Sequence, residues 1–166
     1  YHKELVEALS QGVWVIGASS MGALRAAECA EYGMIGVGAV YEAYASGELE
    51  DDDEVALSHV SEEFGYRPVT EAMVASLAAA QAHGLIDEGQ FVELCAIQKT
   101  RWFMERNLLT SVEDARSIGL DDASVAALGT FLRTSRVSLK AEDARLAIAR
   151  IRDLPDGPMP EADRPT

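Results

Sequence analysis

The chain has 166 residues, of which 48% are hydrophobic and 25% charged, so it is long enough for one domain with a hydrophobic core. Its formal net charge of -14 argues against nonspecific binding to nucleic acid and against an anionic membrane surface. No apolar run is long enough to span a bilayer, and the two isolated cysteines, Cys29 and Cys95, favour a reducing cytoplasm.

The first predicted elements are a helix and a strand. Apolar residues at helical spacing over residues 3–9 predict a helix that ends at Gly12. Residues 13–16, Val-Trp-Val-Ile, predict a short buried strand. Because a helix that leads into a strand usually follows an earlier strand, we expect a further strand upstream of Tyr1 in the native protein.

The turn after this strand is the principal candidate site, because a helix-favouring run follows it to about Tyr32. Ala18-x-Ser20-x-Gly22 is a relaxed form of the nucleophile elbow G-x-S-x-G. Gly17-x-Ser19-x-x-Gly22 is a relaxed dinucleotide-binding fingerprint, weakened by the serine in place of its middle glycine. The third interpretation is that Ser19 or Ser20 only caps the helix.

An acidic run follows a glycine-spaced segment and a short helix predicted over residues 40–46. It comprises Asp51, Asp52, Asp53 and Glu54, and the alternating residues 55–60 after it predict a strand. Such a run is typical of a solvated loop, and it also suits docking of a basic partner. It lacks the EF-hand spacing of ligands, so we predict no metal site there, and we expect His59 to be packed rather than a ligand.

From about Thr70 the pattern is helical. It predicts helices over residues 71–83, 88–107, 111–119, 121–134 and 138–153, the third starting with a capping box at Ser111 and Asp114. The predicted fold class is α/β, with a small parallel sheet in the amino-terminal half (residues 1–66) and a mostly helical carboxyl-terminal half (residues 67–153). Together these form a single domain, 1–153, and the Pro-rich acidic residues 154–166 are predicted to be a flexible tail.

A serine nucleophile requires a base. The chain has three histidines, His2, His59 and His83. They leave a Ser-His-Asp triad open, and a Ser-Lys pair is the other route. Lys3 is the first choice, because a crossover helix begins at the carboxyl edge of the preceding strand. Lys140 is the second, if the last helix folds back over the sheet, and Lys99 is expected at the surface.

Several segments together resemble the core domain of TfuA-like proteins. They are residues 17–28 (GASSMGALRAAE), 33–38 (GMIGVG), 51–56 (DDDEVA) and 2–4 (HKE). Residues 140–144 (KAEDA) are similar to a K-R-x-D-A stretch near the end of that family, with Ala141 in place of Arg. The resemblance covers nearly all of residues 1–153. The family has a further amino-terminal strand segment, in agreement with the strand expected upstream.

The resemblance implies an accessory role to a YcaO enzyme in backbone thioamidation of peptides. The family is implied to release sulfide from a thiocarboxylated ubiquitin-like sulfur carrier with a Ser-Lys pair, without a cofactor, and to aid engagement of the peptide. Ser20 matches the serine of that pair, whereas Lys3 and Lys140 both lie in matching stretches, so Lys3 is preferred as the base on its position and Lys140 is the alternative. The N–H groups of Met21 and Gly22 would hold the oxyanion beside Ser20.

The alternative function is that of an adaptor without catalytic activity. Its acidic run and helices would dock YcaO and the peptide, while Ser20 would only cap a helix. Release of sulfide from a thiocarboxylated carrier separates this alternative from the hydrolase.

Overall fold

The computed structural model describes residues 2–50, 52, 55, 58–59, 66–67, 70–134 and 138–165. It divides the chain into two compact units. The first comprises Tyr1–Asp52 together with Leu139–Thr166, and the second comprises Asp53–Ser138. The acidic run spans this boundary, and Asp51, Asp53 and Glu54 lie outside the described residues.

The first unit is a two-stranded parallel sheet with helices around it. Its elements are α1 (His2–Ser10), β1 (Ile16–Ala18), α2 (Met21–Glu28), β2 (Ile35–Val37), α3 (Ala39–Ser46) and α8 (Leu139–Arg152). Ile16 pairs with Ile35, and Ala18 pairs with Val37. The helix predicted to about Tyr32 is interrupted, because α2 ends at Glu28 and a 3-10 turn follows over Ala30–Tyr32.

Glycine allows β1 to lie close to α2. A Cβ on Gly17 would lie 2.0 Å from the carbonyl oxygen of Gly22 and 2.8 Å from the Cβ of Ala26. Gly17 is itself buried, so the strand and the first turn of α2 are in backbone contact. The small residues of this segment are therefore required by packing as well as by the turn.

The core of the first unit includes the end of the chain. Its buried residues are Leu9, Ala26, Cys29, Met34 and Met159. The N–H of Met159 donates to the carbonyl oxygen of Gly12 at 2.7 Å, and the indole N–H of Trp14 donates to that of Gly157 at 3.1 Å.

Two expectations about the end of the chain therefore differ from the structure. Residues 154–166 were expected to be a flexible tail, but Met159 is only 2% exposed in the core of the first unit. The last helix, expected in the helical half over residues 67–153, instead belongs to the sheet-containing unit. The physical reason is the same in both cases: apolar and polar partners for these residues lie in the first unit.

The second unit holds the remaining elements. They are β3 (Ser58–His59), β4 (Tyr66–Arg67), α4 (Thr70–Ala82), α5 (Glu88–Thr100), α6 (Leu108–Ser117) and α7 (Asp122–Thr134). β3 pairs with β4 in antiparallel fashion. The helices α4–α7 share a core of buried aliphatic residues that includes Leu77, Leu94 and Leu128.

The capping residues of this unit differ in part from the predicted ones. Asp87 begins α5 with a capping box that includes Gln90. α5 then ends at Thr100, short of the predicted Asn107, which instead caps α6 through Leu109 and Thr110. The predicted capping box at Ser111 is wrong, because Ser111 lies inside α6, fully buried against Met73.

The α/β class is confirmed. A small parallel sheet lies in the amino-terminal half, and the described part of the carboxyl-terminal half is helical. Among the helices within the described residues, none is both long enough and apolar enough to cross a membrane.

Candidate functional site

The turn between β1 and α2 has a strained backbone at Ser19. Ser19 has a φ of 72°, and it is the non-glycine residue with positive φ among the described residues. The N–H of Ser20 donates to the carbonyl oxygen of Ala18 at 2.8 Å, which closes a three-residue γ-turn around Ser19. A left-handed non-glycine residue costs about 1–3 kcal/mol, and such strain persists only where the surroundings hold it.

Ser20 occupies the position before the first residue of α2, but its side chain makes no capping hydrogen bond. Its backbone carbonyl accepts from the N–H of Ala23 at 2.8 Å and from that of Leu24 at 3.2 Å, so the helix begins normally. The interpretation that this serine only caps the helix lacks the hydrogen bond that it requires.

The first N–H groups of α2 are open. Within the part of the chain that the structure describes, neither the N–H of Met21 nor that of Gly22 donates a hydrogen bond. Both follow Ser20 directly at the carboxyl end of β1. N–H groups at a helix start attract negative charge, so they suit an oxyanion that forms beside Ser20.

The last helix folds back to this turn. The hydroxyl of Ser19 donates to the backbone carbonyl oxygen of Lys140 at 2.8 Å, across 121 positions of the chain. Lys140 lies in the first turn of α8 and is half-buried. The condition set for Lys140 as a site residue, that the last helix returns over the sheet, is therefore met.

Asp143 anchors α8 at the neighbouring strand. Its two carboxylate oxygens accept from the N–H groups of Ala39 and Val40, at 2.9 and 3.0 Å. These N–H groups begin α3, directly after β2, and Asp143 is 1% exposed. The sequence pattern indicates no role for Asp143, although the KAEDA stretch that contains it resembles the TfuA-like family.

Lys3 lies on α1, in the same unit. It is exposed and lines a surface groove of about 430 Å³ together with Glu7, Tyr32 and Pro165. The neighbouring His2 forms a 2.7 Å hydrogen bond with Glu28, the last residue of α2. Ser20 precedes the first residue of α2, and Glu4 of α1 lines a second groove together with Met21 and Gly22.

The histidines considered from sequence contact groups other than the two serines: His2 bonds Glu28, and His83 lies in the second unit. Partial burial raises the pKa of Glu28, but hydrogen bonds from Arg25 and His2 outweigh it and leave the pKa lowered. In the second unit, Nδ1 of His83 lies 2.9 Å from the carbonyl oxygen of Ala79. The side chain of His59 lies outside the described residues.

Cys29 does not have the surroundings of a reactive thiol. Burial raises its pKa, and the carboxylate of Glu28 raises it further. Cys29 packs in the core of the first unit with 0% exposure. A raised pKa keeps the thiol protonated near neutral pH, and the thiolate is the reactive form.

The structure offers no metal centre among the described residues, since no group of three or more His, Cys, Asp or Glu side chains is arranged for one. Of the acidic run, Asp52 is described, and it is exposed. Asp51, Asp53 and Glu54, for which a role in partner binding was predicted, lie outside the described residues.

Comparison with known proteins identifies the family. The sequence profile described as TfuA-like protein matches residues 1–107, which is more than half of the chain. None of the curated proteins matches it. The matched residues include β1, the Ser19–Ser20 turn, α2 and β2, and the segment with Lys140 and Asp143 follows them in the chain. The chain belongs to the TfuA-like family.

Proposed function

We propose that this protein hydrolyses a thiocarboxylated ubiquitin-like sulfur carrier and supplies the sulfide to a YcaO enzyme for peptide backbone thioamidation. Membership of the TfuA-like family fits a role associated with YcaO-type thioamidation. In this proposal Ser20 is the nucleophile, Lys140 is the general base, and the N–H groups of Met21 and Gly22 stabilise the oxyanion. The protein would also help the peptide to engage YcaO.

The observation that carries the proposal is the hydrogen bond from the Ser19 hydroxyl to the Lys140 carbonyl oxygen at 2.8 Å. This bond joins the serine turn to the first turn of α8, which contains Lys140. Among the described residues of the first unit, the other lysine is Lys3 on α1. A lysine that loses its proton is a known partner for a serine nucleophile.

The proposed reaction balances without a cofactor. The Oγ of Ser20 bonds to the thiocarboxylate carbon, and its proton passes to the amine of Lys140. The C–S bond then breaks while the Lys140 ammonium returns this proton to the sulfur, and sulfide leaves as HS⁻. Water hydrolyses the resulting ester, which returns Ser20 and leaves the carrier with an ordinary carboxylate.

Ser20 is preferred to Ser19 because their hydroxyls have different surroundings. The Ser19 hydroxyl donates to a backbone carbonyl oxygen, which cannot act as a base for it. Ser20 follows the strained residue and directly precedes the open N–H groups of α2. In the sequence, Ser20 also occupies the serine position of the relaxed G-x-S-x-G pattern, although the positive φ lies at Ser19.

Sulfide release from a purified thiocarboxylated carrier tests the proposal. We expect release by the wild-type protein and none by Ser20→Ala, with unchanged unfolding, while the exposed-site control Ser10→Ala keeps full activity. Release by Ser20→Ala at the wild-type rate would reject Ser20 as the nucleophile.

Two matched lysine variants identify the base. Lys140→Arg keeps the backbone bond to Ser19 but replaces an amine that can lose its proton with a guanidinium that cannot, so we expect loss of hydrolysis. Lys3→Arg makes the same change at the other candidate and should leave the rate unchanged. The opposite pattern would assign the base to Lys3.

A second proposal concerns the acidic run, and it would also serve an adaptor without catalysis. The exposed Asp52 and the net charge of -14 favour docking of a basic partner, which we take to be YcaO. Charge reversal at Asp51, Asp52, Asp53 and Glu54 should weaken this association, more at low salt than at high salt. An affinity for YcaO that changes neither with the charge reversal nor with the salt concentration would reject this role.

A further inference from the structure

The carboxylate of Asp143 is buried, and it accepts hydrogen bonds from backbone N–H groups at the start of a helix. It is 1% exposed, and its partners are the N–H groups of Ala39 and Val40. Burying a carboxylate is unfavourable unless it is well hydrogen-bonded, and the start of a helix provides both N–H groups and a favourable dipole. The position is therefore built for an anion, and α8 supplies that anion.

Gly38 makes room for this contact. Gly38 has a φ of 96°, and a Cβ at this position would lie 2.2 Å from the carboxyl carbon of Asp143. Any other residue would be strained by its φ and would also displace the carboxylate. The carboxyl end of β2 is thus shaped around a side chain that arrives from the last helix.

The contacts of Asp143 and Ser19 attach the same turn of α8 at two strands. Ser19, directly after β1, holds the backbone of Lys140, and Asp143 is bound directly after β2. Residues three apart in a helix lie on the same face, so Lys140 and Asp143 face the sheet edge together. Two attachment points on adjacent strands define both the distance and the rotation of this helical turn.

We infer that Asp143 is a positioning residue, which holds Lys140 against the Ser20 turn by anchoring the first turn of α8 to the start of α3. This inference rests on the proposed function for the role of Lys140. In this proposal Asp143 does not take part in the reaction. It acts by fixing the position of the first turn of α8, and so the position of Lys140.

The central test is Asp143→Asn, with Glu142→Gln as the matched control. Both variants remove one carboxylate from the same turn of α8, but Glu142 is exposed. We expect Asp143→Asn to lower kcat for sulfide release by about 100-fold with little change in KM, as for a misplaced catalytic group. Glu142→Gln should leave both constants unchanged. Equal effects of the two variants on kcat would overturn the inference.

Glycine variants of α3 test the same contact from the other side. Gly38→Ala adds a Cβ against the Asp143 carboxylate, whereas Gly47→Ala, also at a positive φ of 78°, meets nothing within 4 Å. Both substitutions place alanine at a positive φ at an end of α3. The two variants therefore differ in whether the new Cβ displaces Asp143. We expect the fall in kcat from Gly38→Ala alone, and a similar fall from both would overturn the inference.

A measurement without substrate separates this inference from the proposed function. Acetylation of the lysines by acetic anhydride, followed by mass spectrometry, compares Lys140 with Lys3 in the same sample. In Asp143→Asn we expect the relative labelling of the half-buried Lys140 to rise about threefold or more, because its turn is released. Unchanged labelling would overturn the positioning role. Failure of the wild-type protein to release sulfide would instead reject the proposed function.

Discussion

Ser19 and Ser20 are neighbours in sequence with different surroundings. Ser19 has left-handed backbone geometry and donates its hydroxyl to α8, whereas Ser20 begins α2 without capping it. The strained residue is thus the one before the proposed nucleophile. Its strain is offset by the contact with Lys140, which holds the turn in place.

The residue-scale prediction compares Ser19→Ala with Ser19→Gly. Both lose the bond to Lys140, which costs about 0.5–1.5 kcal/mol. Only glycine relieves the positive φ, so we expect Ser19→Gly to be more stable than Ser19→Ala by about 1 kcal/mol. Urea unfolding of both variants measures this difference. If Ser19→Ala is equally stable or more stable, the turn is not held in the left-handed region.

Sequence patterns could locate this turn but could not tell the two serines apart. Both match a relaxed motif, and both are good capping residues. The difference between them arises from the Lys140 carbonyl, which lies 121 positions away in the chain. No local pattern contains that contact.

The elements around the site fall into two groups. The helix-favouring run places the start of α2 correctly, but β1 covers Ile16–Ala18 rather than the predicted residues 13–16. β2 lies in the glycine-spaced segment, for which no strand is predicted. The packing position of α8 cannot be predicted from local signals, because the periodicity of its residues indicates a helix but not the elements that it contacts. Asp143 is a buried charge on this helix, and its partners are backbone groups that have no sequence signature.

The element-scale prediction concerns the close contact of β1 with α2. In Gly17→Ala the new Cβ would lie 2.0 Å from a backbone oxygen, so we expect a loss of about 1–3 kcal/mol. In Gly22→Ala the Cβ would lie 3.6 Å from Gly17, an ordinary contact, and alanine favours the helix by about 0.5 kcal/mol. Chemical denaturation should therefore give opposite signs for the two variants. Equal signs would contradict the packing described for this pair.

At the scale of the whole molecule, the first unit is assembled from both ends of the chain. Residues up to Asp52 supply the sheet, and residues from Leu139 onward supply α8 and the segment that ends in the core. Composition predicted a frayed tail because residues 154–166 are rich in proline and acidic residues. The burial of Met159, its backbone hydrogen bond to Gly12 and the hydrogen bond from the Trp14 indole to the carbonyl oxygen of Gly157 outweigh that bias.

The prediction at this scale is a large effect of Met159→Ala. Met159 is 2% exposed, and truncation of a buried methionine costs about 2–5 kcal/mol. Leu146→Ala is the control, because Leu146 is 52% exposed on α8 and its loss should cost about 0.5 kcal/mol or less. Thermal or chemical unfolding compares the two. Similar, small effects would show that the end of the chain is as loose as its composition suggests.

A covalent bond between Ser20 and the carrier is the step on which the proposed hydrolysis depends, and this bond can be trapped. The wild-type protein is mixed with the thiocarboxylated carrier, quenched in acid within the first turnover, digested and examined by mass spectrometry. We predict an ester between the carrier carboxyl terminus and Ser20 in the wild-type protein. The ester should be absent from Ser20→Ala, and it should be reduced in Lys140→Arg because the attack lacks its base. An adduct on Ser19, or sulfide release by Ser20→Ala at the wild-type rate, would contradict the account.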